Sequence, residues 1–192
     1  YGQDSDPPSI DPHLFPSATA ARNSIHLIYN GLVRFGPGAT LMPELAEKWD
    51  ISADGKVYTF HLRKGVKFHN GDDFTSEDVK ASFERILNPQ KPGSFRSQLS
   101  SIDKVEAVDR YTVRVTLKGP SATFLGYLAK AEATIAPAKL ARSDHNFNSQ
   151  PVGTGPFKFA EREPGVRIKL VKNPDYWEKG KPYLDSITFL PL

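Results

Sequence analysis

Apolar and polar residues alternate along 58–63: Tyr58, Phe60 and Leu62 are apolar, while Thr59, His61 and Arg63 are polar. A two-residue period is that of a strand with one buried face. The same period recurs where Val113, Val115 and Leu117 alternate with Thr112, Arg114, Thr116 and Lys118. Asp54-Gly55 is a tight-turn pair ahead of the first strand, and Lys64-Gly65 turns the chain after it, so that 66–68 can pair back. Over 75–87 the period becomes helical, with Val79, Phe83, Ile86 and Leu87 in one stripe. Thr75 is placed to cap that helix, Asp78 puts negative charge in its first turn, and Phe74 and Val79 form a hydrophobic staple. Asn88-Pro89 stops it.

Weaker patterns fill the rest. A helix starts near Ser17 or Thr19, carries Ile25, Ile28, Tyr29 and Leu32 on one apolar face, and can stop at Gly31. Ser121 caps a short helix with Phe124, Leu125 and Leu128. Segments 157–159, 167–171 and 187–190 read as strands. Strands and helices do not strictly alternate, so the fold class is α+β. The sequence stops directly after the apolar strand at 187–190, which would need partners to pair with.

Composition narrows the classes. With 192 residues, 39% hydrophobic and 24% charged, the chain is expected to fold as one domain or a domain with a small subdomain. There is no run of eighteen apolar residues, so no membrane span is expected. No secretory signal is visible at Tyr1, so the chain reads as cytosolic or as a mature exported protein. Cysteine is absent, which excludes disulfides, thiol catalysis and cysteine-held metal. The net charge of +3 comes from lysines and arginines interleaved with acids, as in Glu161-Arg162-Glu163, which is a mixed solvated surface rather than a nucleic-acid patch.

Motifs for chemistry are scarce. There is no His-Glu-x-x-His and no P-loop, and Gly153-Thr154-Gly155 runs into Pro156 without the third glycine of a dinucleotide site. Ser101 and Lys104 match serine-x-x-lysine of the penicillin-interacting enzymes, but the companion motifs are missing, and a loop leading into 105–108 explains the same residues. His69-Asn70-Gly71-Asp72-Asp73 has too few acidic positions for calcium and one nitrogen for zinc, and reads as a polar turn before a helix. No catalytic residue, metal ligand or cofactor is assigned.

Five stretches in register carry a resemblance. They are Ser9-Ile10-Asp11-Pro12-His13; Leu41-Met42-Pro43-Glu44-Leu45-Ala46-Glu47-Lys48-Trp49; the run from Asp54 through Asn70-Gly71-Asp72 and Thr75-Ser76-Glu77-Asp78-Val79 to Ile86; Pro151-Val152-Gly153-Thr154-Gly155-Pro156-Phe157; and Asn173-Pro174-Asp175-Tyr176-Trp177 followed by Lys181-Pro182-Tyr183-Leu184-Asp185. Together they resemble the extracytoplasmic solute-binding proteins of the peptide/nickel-binding ABC importer family. The resemblance covers nearly the whole chain. It implies a periplasmic-binding-protein-like lobe (1–42 and 148–192) with a smaller α+β subdomain inserted (43–147), and a second ligand-binding lobe absent from what reads as an amino-terminal portion.

The function implied is capture of a small solute, a peptide first, between two lobes and its delivery to the permease subunits of an importer. Catalysis, nucleic acid and a membrane span have no part in it, and the location implied is periplasmic or extracytoplasmic. Relatives touch their ligand with the loop that here falls at 16–19, which brings in Ser17 and Thr19, and with the loop after the capped helix, which brings in Phe95 and Arg96. An aromatic ring at 95 can stack on a solute, and Arg96 can pair with a carboxylate. The same residues also fit plainer roles: Ser17 and Thr19 as helix caps, Phe95 packed under its loop, Arg96 solvated. Gly153 and Gly155 are expected to let two backbones approach, and Tyr176 and Trp177 to pack in the core. Two other classes remain open at this point: a secreted serine hydrolase resting on Ser101 and Lys104, and an interaction module using exposed apolar surface.

Overall fold

A computed structural model of the chain describes residues 2–3, 6–14 and 19–191, with the side chains of 2–3 and 19–22 left aside. In chain order the elements are β1 (Gly2–Gln3), α1 (Thr19–Ile28), β2 (Val33–Phe35), β3 (Leu41–Pro43), β4 (Ala46–Ile51), β5 (Val57–Leu62), α2 (Ser76–Leu87), β6 (Ile102–Asp109), β7 (Thr112–Leu117), α3 (Phe124–Leu128), α4 (Ala138–Ala141), β8 (Phe157–Glu163), β9 (Arg167–Lys172) and β10 (Ser186–Pro191). The α+β class follows from this mixture.

Two four-stranded sheets organise the chain. One is antiparallel throughout, in the order β4-β5-β7-β6. Alternation on β5 and β7 sends Tyr58, Phe60, Leu62, Val113, Val115 and Leu117 to one face, all buried. The stripe of α2 (Val79, Phe83, Ile86) joins the same core with Phe74 and Leu45. The other sheet has the order β1-β10-β9-β8, with β1 parallel to β10. Its inner face packs Phe157, Ile168, Leu170 and Phe189 against Ile10 and α1, through Ile25, Ile28 and the following Tyr29. A small hairpin of β2 and β3 lies where the chain leaves α1 for the other sheet.

Helix α2 begins as its sequence predicts. The Thr75 N–H donates to Asp78 Oδ2 at 2.7 Å, and the Thr75 hydroxyl reaches the same oxygen at 3.0 Å. The other oxygen of Asp78 accepts the Ala138 N–H at 2.7 Å, tying the helix start to α4. Phe74 and Val79 are both fully buried beside it.

Several local expectations change. Segment 66–68 does not pair back on β5, because both edges of β5 are already taken by β4 and β7; Lys67 bridges Asp73 instead. Strands β4 and β6 escape the period-two reading because bulges, between Ala46 and Lys48 in one and at both ends of the other, break the alternation. Thr123, not Ser121, occupies the cap position of α3. Helix α1 ends at Ile28, before Gly31, and Leu32 joins the core of the other sheet rather than the face of Ile25 and Ile28.

The serine-x-x-lysine match is overturned by its backbone. Ser101 precedes strand β6, which Ile102 opens, so Ser101 and Lys104 do not lie on the one helix turn that brings a serine and a lysine three positions apart together. Lys104 pairs with Glu106 at 2.7 Å.

Candidate functional site

The segment 9–14 is held by a buried ion pair. Asp11 accepts the N–H groups of His13 (2.9 Å) and Leu14 (3.2 Å) on Oδ1, which curls the chain into a tight turn after Ile10. Arg85, projecting from α2, grips the same carboxylate with both terminal nitrogens, at 2.9 Å to Oδ1 and 2.7 Å to Oδ2. Its guanidinium also lies 5.0 Å from the centre of the Phe147 ring. The two side chains are 14% and 8% exposed, so water screens this pair weakly.

His13 completes the arrangement. Its Nδ1 accepts from Arg85 Nη1 at 2.9 Å, and its Nε2–H donates to the Thr134 carbonyl at 2.8 Å. That set of partners fits the neutral ring. Burial first, and the adjacent Arg85 charge second, bring the imidazole down to about 4, against weaker opposition from the Thr134 bond and Asp11. For Asp11, burial pushes the carboxyl up, but the Arg85 bonds and charge and the His13 N–H together outweigh it, and the group lies below its usual value.

Beside this clamp the segment 9–14 meets the loop after α2, to which the resemblance gives ligand contact. The Ser94 N–H donates to the His13 carbonyl at 2.9 Å, and Gly93 donates to Ile86 at the end of α2 at 3.0 Å. A side chain at 93 would meet the His13 carbonyl at 3.1 Å and Ile86 Cα at 3.0 Å, so glycine permits the approach. The start of the 93–96 loop therefore sits against His13. Phe95 is buried and meets Tyr127 edge-on at 5.9 Å between ring centres. Arg96 is exposed; its Nε donates to the Leu87 carbonyl at 3.2 Å, leaving the terminal nitrogens to solvent. Ser17 lies outside the described residues, and Thr19 is described only as the first residue of α1.

The other motifs converge on a different place, the joint where the chain crosses between the two sheets. Gly155 N–H donates to the Ile28 carbonyl at 2.9 Å, and a Cβ on Gly153 would press into the Ile28 carbonyl and the Tyr29 ring. His69, once a conceivable metal ligand, donates from Nε2 to the Gly155 carbonyl at 3.0 Å, which Asn173 Nδ2 also reaches at 3.0 Å. Asn30 Oδ1 accepts from Thr154 at 3.0 Å and from the Trp177 indole at 3.2 Å, and Arg63 stacks over that indole at 4.5 Å. These residues fix the joint. Among the described residues no three His, Cys, Asp or Glu side chains gather to hold a metal ion, and no helix is long and apolar enough to cross a membrane.

Asp11, His13 and Arg85 were not singled out from sequence as a unit. A signal existed: Asp78, Ser82 and Arg85 recur at i, i+4 and i+7 beside the apolar stripe of α2, a second inward row made of polar residues.

Known proteins share this architecture. Residues 40–192 match the bacterial extracellular solute-binding proteins, family 5 Middle. A di/tripeptide-binding protein of Pseudomonas aeruginosa (Di/tripeptide-binding protein 2) is 41% identical over 94% of this chain and 38% of its own length. The solved structure of the binding protein AgaA with agropinic acid, from A. tumefaciens R10, superposes on the whole chain with a TM-score of 0.94 and 45% identity, over 39% of its own length. The periplasmic binding protein DppA of Helicobacter pylori, solved with the peptide STSA, gives 0.89 and 37% over the whole chain and 42% of its own length. The chain thus spans about two-fifths of the length of these relatives. It belongs to the bacterial extracellular solute-binding proteins of family 5.

Proposed function

We propose that the chain supplies one side of the solute-binding cleft of an ABC importer's extracytoplasmic binding protein. In this reading 1–42 and 148–192 form the first lobe and 43–147 a subdomain inserted into it. The solute is captured between this lobe and a second one, and the closed form delivers it to the permease subunits in the periplasm. The observation that carries the reading is the junction of 13 with 93–96, which places two segments from distant parts of the sequence side by side at one edge. Ser17, Thr19 and Arg96 contribute polar contacts there, Arg96 toward a carboxylate. Phe95 shapes the wall from beneath. No bond is made or broken in such a role.

A short peptide is the first choice of solute, supported by the names of several relatives. Agropinic acid is the second, supported by the 45% identity to AgaA. Native mass spectrometry of the protein, purified without added solute, tests the proposal. Non-covalent adducts of peptide or opine mass are expected, lost on partial unfolding. A covalently labelled protein after treatment with a β-lactam probe would overturn it.

A further inference from the structure

A cavity of ≈560 Å3 opens between the end of α1, strand β2 and the 176–184 segment. Its lining includes His26 and Asn30 and none of residues 13 and 93–96, so it is distinct from the 93–96 edge. Its volume is that of a small-molecule site. Phe35, Tyr183 and Leu184 line it and are exposed in this chain, Tyr183 by 84% and Leu184 by 60%.

The charges around it are unevenly matched. Glu178 is paired with Lys181 at 2.6 Å and with Arg34 at 3.7 Å. Lys130 sits 5.7 Å over the Phe35 ring. Glu44 has no such partner: among the described residues no ion pair includes it. Among the described residues its carboxyl accepts from two neutral donors, Asn30 Nδ2 at 2.9 Å and the Gly31 N–H at 2.8 Å, of about four lone-pair positions. Burial raises Glu44 to about 7; Asn30, Gly31 and Arg34 oppose the rise, and Glu178 adds to it. Its other polar neighbours in the cavity are His26 and Tyr176.

We propose that this cavity is a separate ligand site for a protonated primary amine carried on an aromatic or apolar body, the ammonium against Glu44 and the body against Phe35, Tyr183 and Leu184. An ammonium gives Glu44 a cation in direct contact, where Arg34 acts on it only from beyond ion-pair distance, and the aromatic faces favour a cation over an anion. The proposal goes beyond the cleft and does not depend on it.

The probe is 2-phenylethylammonium, with 3-phenylpropionate as the isosteric anion, titrated into the protein by calorimetry or NMR. The amine should bind and tighten about tenfold from pH 6 to pH 8, as Glu44 passes from about one-tenth to about nine-tenths ionised. Glu44→Gln should weaken it tenfold or more and abolish the pH dependence. Tyr183→Ser, a change at a solvent-facing position, should weaken it severalfold and keep the pH dependence. Arg96→Ala should leave it unchanged. Absence of amine binding, equal binding of the anion, or affinity indifferent to both Glu44→Gln and Tyr183→Ser overturns the proposal.

Discussion

Replacing Arg85 by methionine removes the cation from the clamp while keeping much of the side-chain bulk. Three hydrogen bonds are lost, two to Asp11 and one to His13, with the contact over Phe147. Deleting one partner of a buried ion pair costs about 3–5 kcal/mol. Asp11 keeps the N–H groups of His13 and Leu14, so the lower end, about 3 kcal/mol at pH 7, is expected. For a chain of this size that lowers the midpoint of thermal unfolding by about 6–12 °C. The loss should shrink in acid. Asp11 has a depressed folded value, so its contribution is fully present above the unfolded carboxylate value and disappears as pH falls through the folded one. His13 also gains a proton more readily once Arg85 is gone. Urea unfolding of wild type and Arg85→Met at pH 7 and at pH 3, below the unfolded carboxylate value of 3.8, followed by the fluorescence of Trp49 and Trp177, measures both effects. A difference below about 1 kcal/mol at pH 7, or one that is the same at both pH values, refutes the reasoning.

Three further outcomes are expected. His13 and His69 both lie at about 4 in the folded chain against 6.5 when free, so the unfolded chain takes up more protons and stability falls as pH drops from about 6.5 to about 4; His69→Gln should flatten that slope by about 1.4 kcal/mol per pH unit in denaturant titrations. Glu44 acts in the opposite sense: its raised value means stability is fully present below the unfolded value of 4.5 and is lost as pH rises through about 7, so Glu44→Gln should gain on wild type between about pH 4.5 and pH 7, with no further gain above, in the same titrations. Gly153→Ala places a methyl 2.7 Å from Tyr29 Cδ1 and against the Ile28 backbone, and should cost about 3 kcal/mol or more, seen as a lowered urea midpoint or loss of soluble protein.

The regular parts of this fold were legible because one rule governed each of them. Alternation fixed β5 and β7, and capping with a stripe fixed α2, since all three bury one face against a single core. Strands β4 and β6 were not legible, because a bulge shifts every later side chain to the opposite face and cancels the period that reveals a strand. Two of the five motifs from which the family was read, at 153–155 and 173–177, brace the crossing between the sheets. The Arg85 clamp joins residues 74 positions apart, a pairing that no local period encodes. Phe95 and Arg96 were chosen together from the resemblance, and burial separates them: one ring is packed under its loop, one guanidinium faces solvent.

The most direct test of solute capture is a calorimetric titration of trialanine and of agropinic acid into the protein that carries this chain, as wild type and as Arg96→Ala. Saturable one-to-one binding of one of the two, weakened about tenfold or more by Arg96→Ala without loss of thermal stability, is the predicted result. Failure of both solutes to bind, or binding that Arg96→Ala leaves unchanged, contradicts the placement of the cleft at the 93–96 edge.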